Sequence, residues 1–559
     1  MQGTAVAMIF AFIGGLGLFL FGLRILSDGL QQVAGDRMRS LLEKGTKNPV
    51  RGVLTGMATT ILVQSSTATT VLTVGLVNTG LLTLRQAIGV IMGANIGTTL
   101  TTFIIGFNVK DYCLPIIGIG ALIFILSKKA KPKLIAQAIL GFGLMFYGLN
   151  TIGTGLAPLK DLPIFTELML SVEGNSLLGV LIGVFFTILV QSSAATIGVM
   201  QQLAEAGAMT YQQCVPILFG DNIGTTITAL FAAIGAGVAA RRTAWSHTIF
   251  NVIGTIIFLP LFIIGFFEPM VIWVTNHAFA LVPGFESWAM LDVKLQIAQT
   301  HAVFNISNTL IQLPFVTGIA WVVTKMVPDR TKKGESDPST PKYIDRNFLS
   351  NPSVALAQAL RETLRMGELA QEAYHNAIHY LRNPSNKESL ERGMVLENAI
   401  DHLEREITDY LVLAAQNNFT AEDSEKNYII MQALNDIERI GDHCENIFEQ
   451  ADYAQKYDVV FSEEAQVELD GMIELTGETL DLALKSLGHD RKDWARQVVV
   501  NENVIDKMDQ DYRRGHIRRL NELKCNGNNG AVFLDVLTNL ERISDHCRNL
   551  AGYVLDEEY

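Results

Sequence analysis

Over the first 330 residues long apolar runs alternate with short polar breaks, and beyond them the pattern turns polar, with Leu, Ile and Ala at helical spacing. Apolar runs long enough to cross a bilayer lie near 5–23, 86–108, 112–127, 134–150, 213–238, 244–267 and 298–326. Two further runs, 50–80 and 176–208, are each cut in the middle by Gln-Ser-Ser. A polar break at mid-depth between two short apolar arms predicts a re-entrant hairpin rather than a crossing.

The breaks are copies of one another. Gln64-Ser65-Ser66-Thr67-Ala68-Thr69, followed by Gly93-Ala94-Asn95-Ile96-Gly97-Thr98-Thr99, returns 127 residues later as Gln191-Ser192-Ser193-Ala194-Ala195-Thr196 and Gly220-Asp221-Asn222-Ile223-Gly224-Thr225-Thr226. A third block, Gly17 to Leu23, returns as Gly143 to Leu149 at an offset of 126. Repeats at about 5–127 and 134–267, with a final span at about 298–326, are therefore expected. A shorter echo relates His247-Thr248-Ile249-Phe250-Asn251 to His301-Ala302-Val303-Phe304-Asn305 at an offset of 54, and helix-to-helix hydrogen bonding is the role expected for these pairs.

Charge sets the orientation. Arg24, Arg37, Arg39, Lys44, Lys47, Arg51 and Arg85 flank the first hairpin, Lys128 to Lys133 follow the third span, and Arg241 and Arg242 follow the fifth. If the hairpins re-enter, all fall on one face, the cytoplasmic one. The loop with Lys160, Asp161, Glu167 and Glu173 then lies outside, as does the N-terminus. This places three crossings in the first unit, an odd number, so the second unit starts from the opposite side and the repeat is expected to be inverted. The apolar run from Ala5 to Leu23 has no basic segment before it and no small-residue cleavage site after it, so it reads as a retained span.

Hydroxyls and amides inside apolar surroundings are costly unless paired or used. Two opposed Gln-Ser-Ser turns would place helix N-termini and hydroxyl donors around an oxyanion, with Asn, Gln and Thr oxygens left to coordinate a hard cation. No Arg or Lys stands within the motifs, which suits a releasable anion whose charge is balanced by co-bound cations. Asp221 replaces Ala94 of the first copy and is a candidate cation ligand or proton carrier. Thr69 and Thr101, taken singly, read as ordinary helix packing.

These residues resemble the type II sodium/phosphate cotransporter family over about 5–326. The resemblance implies sodium-coupled transport of inorganic phosphate across the cytoplasmic membrane, with Gln64, Ser65, Ser66, Gln191, Ser192 and Ser193 at phosphate. It implies Na+ as coupling ion on Thr67, Asn95, Thr98, Thr99, Thr196, Asp221, Asn222 and Thr225. Where members of that family read Gln-Ser-Ser-Ser, this chain has Thr67 and Ala194 in fourth place. A phosphate-sensing receptor without net transport, and an oxyanion channel or exporter, are the competing readings. No phosphate-loop motif and no nucleophile with a placed base occurs, so an enzyme is not expected.

Composition divides the chain. Residues 1–333 hold 20 Lys/Arg and 13 Asp/Glu, or +7, whereas 334–559 hold 23 and 43, or −20, together the −13 of the whole. An acidic tail argues against nucleic acid as its partner. Five scattered cysteines form no CxxC pair, and nothing in them opposes a cytosolic tail. The expected division is a transport domain at 1–328, a solvated linker at 329–349 and an all-α bundle of two three-helix repeats at 350–559. Within the bundle Glu397-Asn398-Ala399-Ile400-Asp401 recurs as Glu502-Asn503-Val504-Ile505-Asp506, and Glu438 to Cys444 recurs as Glu541 to Cys547.

Glu and Asp four apart share a helix face and repel unless a cation or basic group lies between them. The bundle resembles PhoU, a regulator of phosphate signalling, whose E-x-x-x-D motifs carry metal in some members. The resemblance implies a transition metal (Fe, Zn or Mn) on Glu397, Asp401, Glu438, Asp442, Glu502, Asp506, Glu541 and Asp545. The alternative is a solvated acidic face with Arg439 and Arg542 as local partners. His443, His546, Cys444 and Cys547 are assigned to packing or to support of the ligands. A homodimer or a cytosolic phosphate-signalling protein is the expected partner of this domain.

Overall fold

The computed structural model describes residues 2–34, 41–42, 45–78, 80–234, 236–279, 287–329, 337–349, 352–417, 419–525 and 527–555. These form two compact units, Met1–Asp329 and Arg330–Tyr559, and the described residues contain helices and no strands.

In the first unit, α1 (Gln2–Ala34) is followed by the helix pair α2 (Pro49–Val63) and α3 (Ser66–Asn78), then α4 (Leu84–Gly106) and α5 (Cys113–Leu126). Next come α6 (Ala130–Leu156), α7 (Pro163–Gly174), the second pair α8 (Ser176–Val190) and α9 (Ser193–Glu205), and α10 (Tyr211–Gly224). The unit closes with α11 (Ile227–Ala232), α12 (Val238–Ile263), α13 (Phe267–His277), α14 (Val293–Gln312) and α15 (Val316–Met326). Among the described residues six stretches are long and apolar enough to cross a membrane: Val6–Val33, Leu84–Gly106, Lys131–Asp161, Tyr211–Ala232, Val238–Ile263 and Val293–Met326. The bent pair α7 and α8, at 117°, is a seventh candidate. Leu177, Leu181, Phe185 and Leu189 form an exposed stripe on α8, an apolar face that suits lipid.

Three expected spans change. The first does not stop at 23 but runs on as helix to Ala34, because no breaker follows Leu23; Arg24 therefore lies on the helix, 3.8 Å from Asp28 one turn later. Run 112–127 folds as a helix of 14 residues, shorter than the roughly 20 that cover a full hydrocarbon core. Run 213–238 breaks after Gly224, where Thr225 and Thr226 separate α10 from α11. Arg37, Arg39 and Lys44 lie outside the described residues.

Glycines set the helix seams. A Cβ on Gly22 would lie 2.3 Å from Met145 N, and one on Gly148 would lie 2.4 Å from Phe19 N. Gly15 meets the Gly148 to Ile152 turn and Gly29 the Leu134 to Ala138 turn, so the partner number falls as the α1 number rises. α1 and α6 thus pack antiparallel through their equivalent Gly positions, a close backbone approach only small residues allow.

The second unit holds α16 (Pro352–Arg382), α17 (Lys387–Ala415), α18 (Ala421–Lys456), α19 (Glu463–His489), α20 (Lys492–Asn521) and α21 (Gly527–Leu555). The 3–4 spacing of Leu396, Ile400, Leu403, Ile407 and Leu411 places all five in its core. Residues 330–336 of the expected linker are outside the described residues. Residues 337–349 are not free of the bundle: the N–H groups of Lys342 and Tyr343 donate to Glu362, and Phe348 is buried.

Candidate functional site

The two Gln-Ser-Ser motifs fold alike down to single hydrogen bonds. Asn48 caps α2 by accepting from Arg51 N–H, and Asn175 caps α8 by accepting from Leu177 N–H. Each arm ends in a glutamine in the left-handed region, Gln64 at φ 55° and Gln191 at φ 56°. Ser65 Oγ then accepts from Ala68 N–H at 3.1 Å, and Ser192 Oγ from Ala195 N–H at 3.2 Å. With the hydroxyl oxygen held by the helix N-terminus, its hydrogen is left to donate outward. Thr60 and Thr69 bridge the two arms of the first copy at 3.0 Å; Thr187 and Thr196 bridge those of the second at 2.8 Å.

The following helix repeats as well. Thr83 with Gln86, and Thr210 with Gln213, form capping boxes at the starts of α4 and α10. A Cβ on Gly93 would stand 2.0 Å from Val53 O, and one on Gly220 1.9 Å from Val180 O, so α2 and α8 touch α4 and α10 backbone to backbone. Asn95 and Asn222 each donate back to a carbonyl four residues earlier, Ile91 O and Leu218 O, at 2.9 Å, which leaves their side-chain oxygens for other partners.

The copies diverge at two points. Thr101 donates to Gln64 Oε1 at 2.9 Å, tying the first turn to α4; Thr101 is therefore more than packing. In the second copy Thr187 donates to Asp221 Oδ1 at 2.7 Å, and Asp221 Oδ2, fully buried, has no hydrogen-bond partner. Thr225 Oγ1, one turn on, is buried and unpartnered too. Thr98 and Thr99 donate to Ala94 O and Ile96 O of their own helix. Gln64, Ser65, Ser66 and Thr67 are half-buried, as are Ser192 and Ser193, while Gln191 is exposed.

Helix α4 gathers contacts from both echo segments. His247 Nε2 lies 3.2 Å from Asn95 Nδ2, and His301 Nδ1 lies 3.0 Å from Thr102 Oγ1, the helix-to-helix bonding expected of these histidines. Thr309 donates to Met92 O and Thr255 to Phe219 O, carbonyls that correspond at the offset of 127. The outer ends of α3 and α9 lie at opposite ends of α4. Asn78 stands five residues before its cap Thr83, while Glu205 reaches Lys110, four residues past Gly106, and the helix between is about 34 Å long at 1.5 Å per residue.

In the second unit, Asp401, Glu438 and Asp442 bring carboxylate oxygens within 4.8 Å of one another, and Glu502, Asp506 and Asp545 do the same. Glu397 and Glu541 fall outside these groups. Burial and the carboxylates of Asp401, Glu445 and Asp442 raise Glu397 above its ordinary range; burial and Asp442 raise Glu438. In the second cluster Arg548 Nη1 donates to both carboxylate oxygens of Glu502, at 2.9 and 3.0 Å, where the first cluster has Glu445 at the position equivalent to the arginine. His443 Nδ1 meets Asn539 Oδ1 at 2.9 Å, and His546 Nδ1 meets Asp436 Oδ1 at 2.8 Å. Positions 436 and 539 correspond, so each repeat supplies the partner for the other's histidine. Cys444 and Cys547 are buried.

Thr60 and Thr187 escaped the reading of the sequence, although they too recur at the offset of 127. Gln201, Gln299 and Lys294, buried polar groups on α9 and α14, and Glu205 at the end of α9 recur nowhere and gave no such signal.

Duplicated polar turns among bilayer-length apolar helices, joined to a helical bundle, define a multi-pass membrane transport domain with a helical appendage. The comparisons agree: the N-terminal part carries a Na+/Pi-cotransporter domain, matched over residues 18–154 and 162–282, and the C-terminal part carries PhoU domains, matched over 363–451 and 469–554. The protein YjbB of Escherichia coli (strain K12), named for a proposed export of inorganic phosphate, is 26% identical over 547 residues, covering 98% of this chain and 97% of its own. The uncharacterized protein YqeW of Bacillus subtilis is 28% identical over 310 residues, 56% of this chain and 95% of its own. Human sodium-dependent phosphate transport protein 2B is 38% identical over 102 residues, 18% of this chain and 15% of its own. The crystal structure of PhoU from Pseudomonas aeruginosa matches 36% of this chain and 96% of its own at 22% identity and a TM-score of 0.34.

Proposed function

We propose that the N-terminal unit carries inorganic phosphate across the cytoplasmic membrane coupled to sodium, and that the C-terminal unit is cytosolic and regulates it. The observation that carries this reading is the matched pair of turns in which Ser65 and Ser192 are held as helix caps with their hydroxyl hydrogens left to donate. Gln64, Ser65, Ser66, Gln191, Ser192 and Ser193 would bind phosphate through hydroxyl and amide donors and the first N–H groups of α3 and α9. Thr67, Asn95, Thr98, Thr99, Thr196, Asp221, Asn222 and Thr225 would supply oxygens to sodium. With no cationic side chain in the motifs, the anion is retained only while sodium accompanies it, which links the two fluxes.

Antiparallel packing of the equivalent helices α1 and α6 supports an inverted repeat, and so do the outer ends of α3 and α9 at opposite ends of α4. Turns that enter from opposite faces would enclose one midplane site. The experiment is reconstitution in liposomes with radiolabelled phosphate under an imposed sodium gradient. Sodium-dependent, saturable uptake is expected; flux indifferent to sodium would leave a channel. The whole-length relative named for export favours outward flux as a second reading, which efflux from preloaded vesicles tests.

The carboxylate groups fit a divalent cation. Oxygen atoms this close at Asp401, Glu438 and Asp442 suit a hard ion, Mn or Fe before Zn, which would compete with Arg439, 2.9 Å from Asp442, and with Arg542, 3.1 Å from Asp545, in the second group. His443 is engaged with Asn539 and would support ligands without binding metal. Through this domain a phosphate-signalling protein or a second copy would act on the transporter.

A further inference from the structure

The second arm of each Gln-Ser-Ser unit ends against elements of the other copy, and the two ends are chemically unlike. At the end of α9, Glu205 Oε1 accepts from Lys110 Nζ at 3.0 Å and Glu205 Oε2 accepts from Lys294 Nζ at 3.2 Å. Lys110 follows α4, and Lys294 is the second residue of α14. The Lys294 side chain is 3% exposed, so its ammonium depends on Glu205. Gln201, one turn before Glu205, donates to Lys294 O at 2.9 Å and to Thr102 O at 3.4 Å, fixing the backbone behind the lysine.

The corresponding positions at the other end carry no charge. Glu205 corresponds to Asn78 and Lys110 to Gly237 at the offset of 127, and Lys294 to Ala240 at the offset of 54. There the Asn78 amide rests against Gly237, its Oδ1 2.5 Å from where a Cβ would stand, and Ala240 is buried. The same joint is therefore ionic in one copy and a neutral contact in the other.

We infer that Lys110, Glu205 and Lys294 form an ionic latch that holds the second Gln-Ser-Ser unit shut against the first copy, so that the transport unit rests closed at this end and opens more readily at the Asn78 end. Separating α9 from α4 and α14 strands a buried ammonium, whereas separating Asn78 from Gly237 strands nothing charged. An interaction made in one state only shifts the balance toward that state. The identification of the two ends with opposite membrane faces rests on the inverted repeat proposed above.

The test uses the full-length chain with its five cysteines replaced and one reporter cysteine at Ala194, beside the second turn. In proteoliposomes of known orientation, a membrane-impermeant maleimide is applied to each face in turn. Glu205→Gln should raise labelling from the Lys110 face by about tenfold, Lys110→Gln by less, since that lysine is half exposed. The reversed set, Glu205→Lys with Lys110→Glu and Lys294→Glu, should return labelling to the parent rate. Asn78→Glu with Gly237→Lys, which builds the latch at the other end, should lower labelling from the opposite face. Unchanged labelling in Glu205→Gln and in the Asn78/Gly237 pair, with both proteins monodisperse, overturns the latch. Both effects on one face would keep the latch and overturn the inversion. Phosphate uptake by the parent in the same vesicles reports on the transport reading separately.

Discussion

Thr187 Oγ1 donates to Asp221 Oδ1 at 2.7 Å, and the same hydroxyl stands 2.8 Å from Thr196 Oγ1. The first copy has Thr60 and Thr69 in the same relation but Ala94 where the carboxylate would be. One copy thus holds a carboxyl group among apolar helices, with one oxygen unpaired, and the other holds none.

Asp221→Ala should raise the sodium concentration for half-maximal phosphate flux by about tenfold, the scale expected for losing a charged ligand. Flux at saturating sodium should fall less. Sodium titrations of reconstituted protein check this, and an unchanged sodium curve would remove Asp221 from the cation site.

Gln64 and Gln191 occupy left-handed backbone, a conformation that costs a non-glycine residue about 1–2 kcal/mol. Gln191→Gly should therefore keep or raise thermal stability while weakening phosphate binding. Gln64→Gly should gain less, because it also gives up the bond from Thr101. Gln191→Val should lower stability, since a β-branched side chain tolerates that backbone poorly. Melting curves and phosphate binding on the same preparations separate the effects.

Gly220→Ala would push a methyl to 1.9 Å from Val180 O, and Gly93→Ala one to 2.0 Å from Val53 O. The obstacle is backbone in both cases, so each variant should lose at least about 2 kcal/mol or fail to assemble. Gly118→Ala, with nothing within 4 Å, is the control and should behave as the parent. Detergent-solubilised yield and melting temperature give the answer.

The acidic face of the bundle should respond to pH. Burial, then neighbouring carboxylates, raise Glu397, Glu438 and Glu445 above the usual 4.5. A carboxyl raised on folding binds its proton more tightly in the folded state. Its stabilising contribution is complete below about 4.5 and is lost as pH rises through the raised values. With chelator present, the melting temperature should fall from pH 5 to pH 8, and Glu445→Gln should flatten the fall.

Metal should favour the first cluster. Arg548 already neutralises Glu502, whereas Glu445 adds charge at the matching place beside Asp401 and Asp442. Mn2+ titration should show tighter binding lost on Glu438→Ala, and Arg548→Glu should create a second site of similar strength. Binding unaffected by Glu438→Ala would leave a solvated acidic face.

Duplication made much of this legible in the sequence. A polar residue that returns 127 positions later, in surroundings hostile to it, announces a shared job, and Gln64 and Gln191 share even their torsion angles. Length alone misjudged the boundaries: Arg24 stays on α1, because one charged side chain reaching outward does not end a helix. The run at 112–127 is apolar but hemmed in by Lys110 and Lys128. Residues that work once were invisible, since Gln201, Glu205 and Lys294 are meaningful only through contacts between distant segments.

The clamp of α2 on α4 and of α8 on α10 passes from main chain to main chain through Gly93 and Gly220, with no side chain between to change rotamer. Such a joint cannot loosen by degrees. Each turn and its neighbouring helix must travel as a single rigid paddle, and any slippage during turnover is left to the side-chain-lined seams at α12 and α14.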